Sequence, residues 1–80
     1  MSRARDVVDV VARALASQPD EVDVVEYERR DQTVVELTMA PGDLGRVIGR
    51  QGRTATAVRT LAAAAAELDG LRVSVDFRDD

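Results

Sequence analysis

Two glycines three residues apart, Gly49 and Gly52, enclose Arg50 and Gln51 and are followed at once by Arg53 and Thr54. Glycine accepts positive φ and carries no Cβ, so a backbone built this way turns sharply and lets a ligand lie against it. Leu44, Val47 and Ile48 precede the pair at helical spacing, and a second helical pattern opens directly after it. The spacing predicts a tight joint between two helices, with Arg50 and Gln51 at its exposed tip. The first amides of the second helix lack intrahelical partners and carry the positive end of the helix dipole. An anion suits that position, most simply a phosphate. Arg46, Arg50, Arg53 and Arg59 surround it with cations, and no acid occurs between Asp43 and Glu67.

Other chemistry finds little to work with. The wider run Gly45-x-x-x-Gly49-x-x-Gly52 has no Gly-Lys-Ser/Thr after it, as a P-loop requires, and no strand with a G-x-G opening before it, as a dinucleotide fingerprint requires. The chain has neither histidine nor cysteine. Asp6 with Asp9 and Glu26 with Glu28 come nearest to paired carboxylates, and each pair reads as charge on a solvated face. No catalytic residue, metal ligand or cofactor is expected, and the chain reads as a non-enzyme.

The elements that must position the loop follow from periodicity. Ala4, Val7, Val8, Val11, Ala12 and Leu15 fall at helical spacing, which predicts an amphipathic helix over 3–17, capped by Ser2 and ended by Ser17-Gln18-Pro19-Asp20. A strand over 22–29 alternates only in part, with Val25 and Tyr27 on one face and Val22 and Val24 on the other. After a polar turn at 29–32, a cleaner strand over 33–40 sets Val35, Leu37 and Met39 against Val34, Glu36 and Thr38. Pro41-Gly42-Asp43 breaks it, and Asp43 should cap a short helix over 44–48. The helix after the joint spans 54–68, with Ala55, Val58, Leu61, Ala62, Ala65 and Leu68 as its apolar stripe, and Gly70 stops it. Leu71, Val73, Val75 and Phe77 then alternate with polar residues in a half-buried strand, and Asp79 and Asp80 form a charged tail. The order α-β-β-α-α-β predicts an α+β fold with three helices on one face of a three-stranded sheet.

Eighty residues provide for one domain, 1–80. The absence of cysteine fits a reducing cytoplasm, and charges interrupt the first apolar residues, which excludes a signal-peptide core or membrane span there. The net charge of -4 hides an uneven distribution. Residues 20–36 hold seven acids against Arg29 and Arg30, so the hairpin should repel phosphate, while the four arginines from Arg46 to Arg59 should form a basic patch.

An isoleucine followed by G-x-x-G between two helices resembles the signature of KH domains, whose loop clamps the backbone of about four nucleotides. With its flanks, Leu44-Gly45-Arg46-Val47-Ile48-Gly49-Arg50-Gln51-Gly52-Arg53 preceded by Pro41, the chain is similar to the small bacterial single-KH proteins of the KhpA type. Since the chain ends after its last strand, only the type II KH arrangement fits. The resemblance implies a cytoplasmic RNA-binding protein, used as an RNA chaperone or post-transcriptional regulator. It implies a dimer too, with itself or with a larger Jag-like KH and R3H protein. The expected RNA-binding residues are Arg46, Val47, Ile48, Gly49, Arg50, Gln51, Gly52, Arg53, Thr54 and Arg59. Leu44, Ala57, Val35 and Leu37 are further candidates for an aliphatic groove that takes the bases. The competing expectation is a protein-interaction module whose loop binds no nucleic acid on its own.

Overall fold

The computed structural model describes residues 2–78; the acidic tail, Asp79 and Asp80, lies outside them. Helix α1 (Arg3–Leu15) begins as the sequence suggests, with the Ser2 hydroxyl accepting from the Arg5 amide at 3.1 Å. The Ser2 amide and hydroxyl also donate to the Glu26 carboxylate, which ties the start of the helix to the sheet. α1 stops two residues earlier than expected. The Ser17 and Gln18 amides leave the helix to bond the Asp43 carboxylate, at 3.0 and 3.1 Å, and a short 3-10 turn, Pro19–Glu21, follows.

Strands β1 (Asp23–Arg29) and β2 (Gln32–Thr38) pair antiparallel, and β2 pairs parallel with β3 (Val73–Arg78), so β2 is central. β2 ends at Thr38 rather than Ala40. Met39 and Ala40 dip into the core, and Pro41 and Gly42 turn the chain, with Gly42 at φ 86 and the Asp43 amide on the Ala40 carbonyl. That is the signature of a type II turn. On the helix-bearing face Val24, Val35, Leu37 and Val75 are buried. The opposite face carries Val25, Tyr27, Glu36 and Val34, and Val34 is closed off because the central strand places it between Tyr27 and Ser74.

Helices α2 (Leu44–Ile48) and α3 (Arg53–Leu68) complete the helical layer. Asp43 does not cap α2 as the sequence suggests: its backbone is already helical and its side chain turns to Ser17 and Gln18 instead. The buried row of α3 is Ala55, Val58, Ala62 and Ala66, which meets Ala4, Val8 and Ala12 of α1. Small residues on both sides narrow this seam, so Leu61 and Leu68, expected in the apolar stripe, stand outside it at 54% and 73% exposure. α3 ends in a Schellman motif: Gly70 has φ 68, and the Gly70 and Leu71 amides donate to the Glu67 and Ala66 carbonyls. Leu71 therefore belongs to the helix cap, and β3 starts at Val73. No helix among the described residues is long and apolar enough to cross a membrane.

The Ser17 hydroxyl, with the Gln18 and Ser17 amides behind it, holds the Asp43 carboxyl below the usual range, and the Ser2 hydroxyl does the same for Glu26. A group with a lowered folded-state pKa contributes stability above its unfolded pKa and loses it as pH falls through the folded value. Urea midpoints should therefore hold from neutral pH down to about pH 5 and fall steeply below about pH 4. Asp43→Asn should be less stable at neutral pH and show a shallower acid loss; an unchanged acid limb would contradict the role of this carboxylate.

Candidate nucleic-acid interface

The joint between α2 and α3 is built from backbone conformations that ordinary residues avoid. Gly49 has φ 76 and ψ 175, a region open to glycine almost alone. A Cβ added there would stand 2.8 Å from the Thr54 Cβ and closer still to its hydroxyl, so Gly49 also makes room for the first turn of α3. Gln51 and Gly52 both adopt left-handed conformations, at φ 58 and φ 71, but nothing lies near a Cβ at Gly52. The two glycines thus have different jobs. Gly49 lets two elements touch, and Gly52 only supplies a conformation.

Hydrogen bonds hold the turn. The Gly49 amide donates to the Gly45 carbonyl at 2.9 Å and the Gly52 amide to the Gly49 carbonyl at 3.2 Å, while the Thr56 hydroxyl donates to the Gly52 carbonyl at 3.1 Å. The Arg50 and Gln51 amides find no backbone acceptor outside the turn. Arg50 is exposed without an ionic partner among the described residues, and Arg53 reaches only the Gln51 side-chain oxygen, at 3.0 Å. Asp43, the acid just before α2, is 3% exposed, bonds the end of α1 and has Arg46 Nε 3.4 Å from its carboxylate. An exposed loop with free amides, two guanidinium groups that pair with no carboxylate among the described residues and a sixteen-residue helix behind it is suited to a phosphate.

The sequence-predicted residues divide. Gly49, Arg50, Gln51, Gly52 and Arg53 come together in the turn, with Arg46, Ile48 and Thr54 beside it and each at least partly accessible. Val47 is 1% exposed and packs in the core, so it supports the loop without reaching a ligand; Val35 and Leu37 are closed off in the same way. Arg59 leans on the free edge of β3, its Nε 3.4 Å from the Val75 carbonyl and its guanidinium 4.7 Å from the centre of the Phe77 ring. Sequence reasoning missed the Asp43 clamp. The signal was there in Ser17-Gln18-Pro19, where two amides ahead of a proline need an acceptor.

A helix, a G-x-x-G turn and a second helix set beside a parallel strand pair, with an antiparallel strand on the outside, define a type II KH domain. The model of the KH domain of KhpA and KhpB matches residues 5–77. The chain belongs to this family. It is 45% identical over 72 residues to the RNA-binding protein KhpA of Caldanaerobacter subterraneus subsp. tengcongensis, covering 90% of this chain and 96% of that protein. To the KhpA of Leifsonia xyli subsp. xyli it is 50% identical over 70 residues, covering 88% and 90%. Among solved structures, Era in complex with MgGDPNP and nucleotides 1506–1542 of 16S ribosomal RNA superposes on 95% of this chain and 29% of its own, with a TM-score of 0.64 and 20% identity, a likeness of fold.

Gly49→Ala should destabilise the fold by about 3 kcal/mol, from backbone strain together with the Thr54 clash. Gly52→Ala should cost about 1 kcal/mol, from strain alone. Equal urea midpoints for the two variants would contradict the division of roles.

Proposed function

We propose that this protein binds single-stranded RNA, gripping its backbone at residues 49–53 while bases lie against the partly exposed Ile48, Leu44 and Thr54. The observation that carries the reading is the cationic G-x-x-G turn with its unused amides at the start of α3. The names of the KhpA relatives support it. Only one tyrosine and one phenylalanine are present, and the Tyr27 hydroxyl is bonded to Glu36 at 2.8 Å while Phe77 carries Arg59. Stacking platforms are therefore lacking, and the grip is weak with little sequence preference. The role is that of an RNA chaperone or post-transcriptional regulator in the cytoplasm, a single domain over 1–80 without catalytic activity.

Weak single sites gain from pairing, and the helical layer offers a surface for it. Val10 of α1 and Leu61 and Leu68 of α3 are exposed on helices that pack antiparallel, as the Arg3–Asp69 ion pair at 3.0 Å requires. Val7, Val10 and Val11 line an open apolar hollow on α1, and Leu61 and Leu68 add exposed leucines on α3. This exposed apolar surface supports a dimer, with a second copy or with a Jag-like KH and R3H protein. It is also the observation that favours the second reading, a protein-interaction module.

Arg50→Asp/Gln51→Asp places two negative charges at the tip without touching the core. Fluorescence anisotropy with short single-stranded RNA should show at least about tenfold weaker binding in this variant, and wild-type binding that falls steeply with salt. Retained affinity with an intact fold would overturn the loop as the RNA grip. For the pairing, Leu61→Asp should raise the dimer dissociation constant at least about tenfold by sedimentation equilibrium. A wild type that sediments as a monomer would overturn the self-paired form.

A further inference from the structure

The eleven arginines sort by what they touch. Arg3, Arg5, Arg13, Arg46 and Arg78 each reach a carboxylate. The other six have no ionic partner among the described residues, and they occupy two places. Arg50, Arg53 and Arg59 lie on the loop and the first half of α3. Arg29, Arg30 and Arg72 lie at the other end of the molecule, beyond the sixteen residues of α3, a helix about 24 Å long.

The far cluster is assembled by the sheet. Arg29 pairs with Gln32 across β1 and β2, and one step beyond the Thr33–Val73 pair the parallel register brings Arg72 beside Gln32; the Thr33 amide donates to the Arg72 carbonyl at 2.8 Å. Arg29, Gln32 and Arg72 thus form one row across three strands. Arg30 stands at the tip of the two-residue hairpin loop with φ 58, in a conformation that costs a side-chain-bearing residue about 1–2 kcal/mol. Together with Asp31 these residues line an open hollow of about 710 Å³.

Of the seven acids in residues 20–36, three are hydrogen-bonded, and Asp20, Glu21 and Asp23 lie at the opposite end of β1 from Arg29. Glu26 accepts from Ser2, Glu28 from the Thr33 hydroxyl at 3.1 Å, and Glu36 from Tyr27 and from Arg78 at 3.3 Å. Only Asp31 offsets the three guanidinium groups in the hollow. A second hollow, of about 390 Å³ between α3 and β3, shares Gln32 and Arg72 with the first and also contains Glu67. A chain that leaves the loop along the α3–β3 edge meets Arg59 and then reaches this cluster.

We propose that Arg29, Arg30 and Arg72 form a second phosphate contact for the same RNA strand, engaged only by strands longer than the roughly four nucleotides a G-x-x-G loop clamps. The proposal rests on the RNA-binding reading above. Guanidinium groups suit it because each presents a planar fork to phosphate oxygens.

The test compares wild type with Arg29→Gln/Arg30→Asn/Arg72→Gln, asparagine being chosen because it tolerates the left-handed conformation. The probes are labelled oligouridylates of about four and about fifteen nucleotides, one matched to the loop and one able to pass beyond it. The variant should bind the short probe as wild type does and the long probe about tenfold more weakly. Its log–log salt slope on the long probe should be shallower by about 2, from three single-strand phosphate contacts. Equal binding of the long probe by both proteins overturns the second contact and leaves the loop intact. Equal weakening on both probes overturns it too, since the effect is then one of net charge. Failure of wild type to bind either probe overturns the RNA reading itself.

Discussion

Pro19 denies the residue before it an α conformation, so α1 must end with amides that no further helical turn can use. The Asp43 carboxylate accepts from the Ser17 and Gln18 amides and from the Ser17 hydroxyl, and it is buried in doing so. A buried carboxylate is tolerated only when its charge and lone pairs are satisfied, and Arg46 adds the remaining partner. Because α2 begins one residue after Asp43, this interaction fixes where α2 starts relative to α1. The position of the turn at 49–52 follows from it, since only five helical residues intervene. The charge balance of the site follows as well: the Asp43 carboxylate is committed to the end of α1 and to Arg46.

The loop itself turns on a packing constraint as much as on flexibility. Gly49 leaves the space that Thr54 fills, so the start of α3 is pressed against the end of α2 and the amides of Arg50 and Gln51 are held outward. A second constraint lies in the α1–α3 seam. Alanines at 4, 12, 62 and 66 let the helices approach closely and leave the larger Leu61 and Leu68 beside the seam instead of within it. One set of small residues thus closes the core and leaves two leucines of α3 exposed.

Most of the architecture was legible in the sequence because period and punctuation agreed. The helix and strand order, the Ser2 cap, the Gly70 stop and the helix-turn-helix around Gly49 and Gly52 all rest on local signals, and all are present. The misreadings came where tertiary partners outweighed local preference. Asp43 had a good sequence position for capping α2, but the amides left by α1 gave it stronger donors. Leu61 and Leu68 matched a helical stripe by spacing, yet the alanine row set the true inward face a fraction of a turn away. Val47 matched the family motif but is needed in the core, while Arg59, beside the β3 edge and Phe77, stays exposed and free of any carboxylate among the described residues.

Charge shows the same lesson at the scale of the surface. A net charge of -4 and seven acids between residues 20 and 36 describe a chain that phosphate should avoid. Folding redistributes that field, because Glu26, Glu28 and Glu36 find hydroxyl, amide and guanidinium donors within the structure, while arginines at the loop, the hairpin tip and the entry to β3 pair with no carboxylate among the described residues. What a polyanion meets is the uncompensated remainder, and here the uncompensated arginines lie at the two ends of α3. Composition averages over both groups and so has the wrong sign for the surfaces that matter. The salt dependence of association reports those local charges and not the net value, because counterions are released only where phosphates are neutralised.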